Sequence, residues 1–190
     1  MKQKKKILPA LAIGNILKNK ATYFPYLGVS IFAMFTYFVF DLILKNDVMQ
    51  SIPRATYAMV LVQIGFFLLG IIMIPFLYYT NSFLIKRRKK ELGLYSILGM
   101  EKKHIGIMMF FESILIYVIV LVVAIVLGLL FSKLIFLLLL NMAKITVDAS
   151  FSISPKAIVD SIIFYALITG INLFVNLIQV GKANPAELMS

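Results

Sequence analysis

Four long runs of apolar residues, each nearly free of charge, dominate the chain, and short polar segments separate them. A bilayer hydrocarbon core of about 30 Å is crossed by ~20 apolar residues of α-helix, so each run predicts one span. The first covers about 23–44, "YFPYLGVSIFAMFTYFVFDLIL", and only Asp41 near its end interrupts it. The second covers about 56–84, more than a perpendicular span needs, which predicts tilt or a helix that continues past the bilayer. The third covers about 105–131 and resumes after Ser132 and Lys133 as "LIFLLLLNM"; the fourth covers about 157–180. The predicted fold is all-α, a polytopic membrane protein with four transmembrane helices.

The polar segments orient these spans. An even number of crossings places both termini on one side. Fourteen of the nineteen Lys and Arg lie on that side, in residues 1–20, in 86–103 and at Lys182. Basic residues collect in cytoplasmic loops, so both termini and the 86–105 segment are expected in the cytoplasm of a multi-pass plasma-membrane protein. Residues 1–20 form a basic, amphipathic lead-in to a transmembrane module over 21–190. Pro9, Asn15, Lys18, Asn19 and Lys20 break any apolar core there, so no cleavable signal is expected. The outer connections, 45–55 and 141–156, are too short and polar to fold as domains. The second ends in Ser154-Pro155, a helix start with Pro at the first helical position.

Composition agrees with the membrane reading. Hydrophobic residues make up 62% of the chain and charged residues 14%; soluble domains average about 45–50% and about 25%. The absence of cysteine removes disulfides, thiolate metal sites and cysteine nucleophiles, and one histidine is too few for a His-based metal cluster. The net charge of +11 sits at the ends of spans rather than in an aromatic-interleaved groove, so no nucleic-acid partner is expected.

The segment "KRRKKELGLYSILGMEKKHI", residues 86–105, carries most of the candidate chemistry. Read as a helix, it places Arg87 and Arg88 four and three residues before Glu91, within ion-pairing reach. Leu92, Tyr95 and Gly99 follow one face; Leu94, Ile97 and Leu98 follow another. Two apolar faces suggest one that meets the bundle and one that meets a partner. Gly93 and Gly99 each lower helix stability by about 1 kcal/mol relative to Ala, so they belong where a backbone comes close or the chain turns. The plain alternative is a basic loop at anionic headgroups.

This stretch resembles the signature of FtsX-like permeases, RRKE-(I/L)-G-(L/V)-x-x-x-(L/M)-G-(A/M) ahead of a transmembrane helix. Arg87, Arg88, Lys89, Glu91, Leu92, Gly93, Leu94, Leu98, Gly99 and Met100 match it. "ELGLYSILGM" followed by "KKHI" is most similar to the bacitracin-export branch, the permeases of Gram-positive antimicrobial-peptide resistance and sensing transporters. "NILKNKATYFPY" (15–26) resembles that branch's lead-in to the first span. Glu112 stands where the family often has Glu, and "VGKANPAEL" (180–188) resembles its NPxEL ending. The resemblance implies a cytoplasmic coupling helix between helices 2 and 3, built from the matching residues and Tyr95, that docks on a separate ABC ATPase. ATP would then be bound by that partner, and this chain would be a non-enzymatic permease without a cofactor. Further partners implied are the remaining permease half or a second permease chain, a sensor histidine kinase and the lipid bilayer. Permeases of this branch carry more spans and a large extracellular domain, so 190 residues correspond to the first four-helix module, either as a fragment or as a short protein completed by another chain. The chain itself contains no GxxxxGK(S/T) phosphate loop, so energy from ATP would have to enter through a cytoplasmic surface.

Ionisable and polar residues inside the spans complete the candidates. Glu112 lies about seven residues, or roughly 10 Å of rise, beyond Ile105. It reads either as a bundle-facing carboxylate paired to a basic or hydroxyl group, or as a snorkelling side chain. Asp41 and Asp160 read as helix-end charges. Asn172, Asn176 and Gln179 share a face and read as interhelical hydrogen-bonding groups. Ala124, Gly128 and Ser132, and again Ala166 and Gly170, have the small-xxx-small spacing of close helix contacts, internal or between copies. Pro75 predicts a kink or loosening. Tyr23, Tyr26, Tyr78 and Tyr79 read as interfacial anchors. A membrane adaptor that holds a sensor kinase or another membrane protein and transports nothing is the alternative function. An intramembrane enzyme is disfavoured because no acid–base pair, nucleophile–base pair or metal set is visible.

Overall fold

A computed structural model describes residues 13–46, 56–142 and 153–182. Within them lie four helices: α1 (Lys20–Leu44), α2 (Thr56–Ile97), α3 (Lys102–Met142) and α4 (Pro155–Lys182). Residues 13–18 form a helical lead-in, and no strand occurs among the described residues. Each of α1–α4 contains a stretch long and apolar enough to cross a membrane. The basic residues 1–12, the connections 47–55 and 143–152, and the 183–190 ending lie outside the described residues.

Two elements differ from the sequence reading. The basic segment is not a separate helix: α2 runs unbroken through Pro75 and the five basic residues to Ile97, so residues 86–97 are its last turns. At about 1.5 Å per residue its 42 residues span roughly 63 Å, twice a bilayer core. Likewise α3 does not stop at Ser132 and Lys133. The Ser132 hydroxyl donates to the Leu129 carbonyl at 3.1 Å, and Lys133 is exposed, so neither polar group needs a break in the helix.

The chain divides into two compact units. The first comprises residues 13–29, 76–119 and 166–182. Its core packs Ile85 and Leu92 of α2, Ile105, Met108 and Met109 of α3, and Val180 of α4. The end of α2 explains the second glycine of the motif. Met100 N–H donates to the Tyr95 carbonyl (3.0 Å) and Gly99 N–H to the Ser96 carbonyl (3.2 Å). Gly99 takes φ +87°. These two bonds and the positive φ make a Schellman stop, and Tyr95 and Met100 both pack against the buried cluster of this unit. A Cβ at Gly99 would touch nothing among the described residues, so its backbone conformation is what requires glycine. Gly99→Ala is therefore expected to destabilise the protein by about 1–2 kcal/mol, the penalty of the left-handed region, read in an unfolding titration in detergent. The end of α4 is tied to the same turn: Lys102 Nζ donates to the Gly181 carbonyl at 2.9 Å, satisfying one orphan acceptor at the end of α4.

The second unit comprises residues 30–46, 56–75, 120–142 and 153–165. Phe38 and Leu42 of α1 pack with Ala157 of α4, and Ile125 and Leu129 of α3 lie against them. The Ala124–Gly128–Ser132 stripe is internal. Ala124 and Ser132 are buried, and the Phe38 ring occupies the place a side chain at Gly128 would need. In the first unit, by contrast, Ala166 and Gly170 are exposed. Tyr37 stacks on Phe164 with ring centroids 4.1 Å apart. Beyond the end of α1, Lys45 binds both Asp41 (2.6 Å) and Asp160, so the two helix-end acids form one cluster around a shared cation. Burial disfavours the Lys45 ammonium, but its hydrogen bonds to Asp160 and Asp41 outweigh that and raise its pKa above the usual lysine value. Pro155 begins α4 as its first helical residue, and the Ser154 carbonyl accepts from Ala157 N–H at 3.1 Å.

Candidate functional site

The end of α2 sorts its residues by face. Ile85, Arg88 and Leu92 recur at three- and four-residue intervals and are buried, together with Gly93. Tyr95 and Met100 are half-buried beside them, whereas Leu94 (52%), Ile97 (55%) and Leu98 (74%) are exposed. Gly99 is exposed with the second group rather than lying on the Leu92 face. Arg87 turns outward and lies over the Phe83 ring, 4.7 Å from its centroid. Glu91 is paired by Arg88, not Arg87, at 3.5 Å through Nε.

A buried arginine inside a membrane protein requires a partner, and Arg88 has one on α3. Its Nη1 donates to Glu112 Oε2 at 2.5 Å and its Nη2 to Glu112 Oε1 at 3.0 Å, a bidentate fork. The two side chains are only 3% and 5% exposed. Asn15 Nδ2, from the lead-in helix, donates to Oε1 (3.0 Å), and the Tyr23 hydroxyl of α1 donates to Oε2 (3.1 Å). Four donors thus occupy the roughly four lone-pair sites of one carboxylate. Tyr23 also lays its ring against the guanidinium, 5.1 Å from the centroid, and the Tyr95 hydroxyl donates to Asn15 Oδ1 at 3.0 Å. The lead-in, α1, α2 and α3 all meet at this one ion pair.

Beside the pair lies a small, partly open cavity of about 20 Å³, room for about one water molecule. Its polar wall includes Asn81, Ser113, Thr169, Asn172 and Asn176 as well as Arg88 and Glu112. Asn81 Nδ2 donates to Asn176 Oδ1 at 3.2 Å, joining α2 to α4. Asn172 is buried, and its carboxamide oxygen has no hydrogen-bond partner among the described residues. Gln179, on the nominal face of those two amides, is exposed.

Of the sequence candidates, Arg88, Tyr95, Glu91 and Glu112 converge. Asn172 and Asn176 border the same cavity, and Leu94, Leu98 and Gly99 point elsewhere. Glu112 is the bundle-facing, paired carboxylate rather than a snorkelling one. Tyr23 is not an interfacial anchor: at 1% exposure it belongs to the ion-pair network, while Tyr78 (40%) and Tyr79 (74%) are exposed. Asn15 and Asn81 escaped the sequence reading. Asn81 did carry a signal, an amide within an apolar run.

The sequence pattern of the family described as FtsX-like permease C-terminal matches residues 63–185. Over 170 residues the chain is 28% identical to the bacitracin export permease protein BceB of Halalkalibacterium halodurans, covering 90% of this chain and 26% of that protein. It is 33% identical over 189 residues to an uncharacterised ABC transporter permease, YvcS, of Bacillus subtilis, covering 96% and 28%. It is 26% identical over 178 residues to the Bacillus subtilis bacitracin export permease protein BceB, covering 94% and 28%. The chain spans about a quarter of the length of these curated relatives.

Proposed function

Since this chain belongs to the FtsX-like permease family, we propose that it is the first membrane module of an ABC permease of the antimicrobial-peptide resistance or sensing type. A separate cytoplasmic ATPase binds the ATP, and this chain carries the resulting motion into the membrane. The observation that supports the reading most is the two-faced end of α2. Arg88 is locked to Glu112 on α3, and within three turns Leu94, Ile97 and Leu98 are exposed. An ATPase seated on the apolar side would displace the α2–α3 turn, and the ion pair would carry that displacement to α3 and, through Tyr23 and Asn15, to α1 and the lead-in.

In this reading Arg87, Lys89 and Lys90 border the docking surface, and Gly99 sets the turn. Both termini and the turn lie in the cytoplasm of a Gram-positive cell. The remaining permease half, or a second permease chain, meets exposed apolar helix surface. Only 11% of the most apolar window of α2 is buried, against 50% for α1, so α2 offers the most such surface.

The test is purification of the full-length protein from its own membranes in mild detergent, with mass spectrometry of attached proteins. Leu94→Asp with Leu98→Asp is expected to remove a cytoplasmic ABC ATPase that accompanies the wild type, with the membrane protein still recovered folded. A sensor kinase without any ATPase would instead support a non-transporting adaptor. An ATPase that stays bound to the double variant would move the docking surface away from this turn.

A further inference from the structure

The cavity beside Arg88 and Glu112 is polar where a membrane protein can least tolerate empty polar space. Its wall holds four hydroxyl residues, Ser113 and Thr169 among them, and three amide residues, Asn81, Asn172 and Asn176, with the ion pair. Most of these groups are satisfied. The Glu112 carboxylate already has four donors, and the Asn81–Asn176 bond is made. Two capacities are left over. Asn172, 5% exposed, keeps a carboxamide oxygen with no donor among the described residues. The Arg88 guanidinium, with five N–H groups, directs one each from Nη1 and Nη2 to Glu112 and its Nε to Glu91, which leaves two. A buried, unpaired amide oxygen costs about 1–3 kcal/mol, and water is the molecule that donates to one group while accepting from another.

We propose that this cavity is a hydrated crevice within the membrane-embedded part of the protein, a binding site for ordered water between Asn172, Arg88 and the Ser113 and Thr169 hydroxyls. Empty cavities in proteins are apolar; one with polar groups on its wall and about 20 Å³ of room is large enough to hold a water. The crevice lowers the cost of keeping Arg88 charged inside the apolar layer and separates it from Asn172 by a replaceable hydrogen-bond bridge. The inference needs only the membrane embedding of the four helices and stands whether or not the protein transports.

Substituted cysteines test it, because the 190 residues contain no cysteine of their own. Ser113→Cys and Thr169→Cys place small thiols on the crevice wall without touching Asn172 or the ion pair. Leu167→Cys, two residues from Thr169 on α4 and 62% exposed on an apolar surface, is the lipid-facing control. The full-length variants in isolated membranes, with both faces accessible, are treated with small membrane-impermeant methanethiosulfonates, one cationic and one anionic. Only a hydrated thiol ionises and reacts, so S113C and T169C are expected to label at least ~10-fold faster than L167C with one or both reagents. Labelling after SDS unfolding, equal in all three, shows that the thiols are intact. Equal rates for crevice and lipid-facing positions in the folded protein would overturn the proposal and make the cavity dry.

Discussion

Arg88→Met is expected to lower the stability of the full-length protein by about 3–5 kcal/mol, the range for removing one partner of a buried ion pair. The loss is large because the Glu112 carboxyl, at 5% side-chain exposure, loses its two guanidinium donors and its countercharge; Asn15 and Tyr23 remain but carry no charge. Glu112→Met should cost a comparable amount, now by stranding Arg88 with only the distant, half-buried Glu91 at 3.5 Å. The double variant Arg88→Met with Glu112→Met is expected to recover most of the loss, since two apolar side chains of similar volume leave no buried charge. Far-UV circular dichroism during SDS titration measures all three. Additive losses in the double variant would show that the pair is not the unit that matters. The same variants separate fold from function. If the pair serves only packing, the double variant keeps whatever peptide resistance the wild type confers. If the pair carries motion from the α2–α3 turn, the double variant folds and resistance is lost.

That pair shows where sequence reading succeeds and where it runs out. The helices were legible because burial in lipid demands continuous apolar runs, and four such runs stand out whatever their contacts. Helix ends were less so. The basic block suggested a separate element, yet nothing between Leu84 and Ile97 forbids α-helix; Gly93 alone is too weak a breaker, and the stop comes where Gly99 can take a positive φ. Glu112 was legible as a group that must have a partner, because charge in hydrocarbon is costly. Which partner was not. Arg87 and Arg88 are equivalent by composition, and only the roughly 100° step between them on the helix turns one inward and the other onto Phe83. Tyr23 was misplaced for a related reason: a tyrosine at the end of a span suits both an interfacial belt and an internal hydrogen bond, and the contacts decide. Asn15 lies far from Glu112 in sequence, and nothing local to it points there.

The close approach of α1 and α3 at Gly128 in the second unit carries the other large effect. Gly128→Leu is expected to destabilise the protein by about 2–3 kcal/mol, at the upper end of the range for overpacking. Two terms oppose each other at this position. Replacing glycine within a helix gains about 1 kcal/mol in propensity. Against that, even the first carbon of a new side chain would collide with the Phe38 ring, which is 0% exposed and wedged among Leu42, Ala157, Ile125 and Leu129. The ring has nowhere to go, so the steric term wins. Phe38→Ala alone should cost about 3–5 kcal/mol through the cavity it opens. Because the new leucine would fill part of that cavity, the double variant Phe38→Ala with Gly128→Leu is expected to fall short of the summed losses by about 1 kcal/mol or more, a coupling that residues in contact show and distant ones do not. The same unfolding titration reads it. Strict additivity would mean that α1 and α3 do not meet at Gly128, and the small-residue stripe of α3 would then face something outside this chain, as the exposed Ala166 and Gly170 of α4 already can.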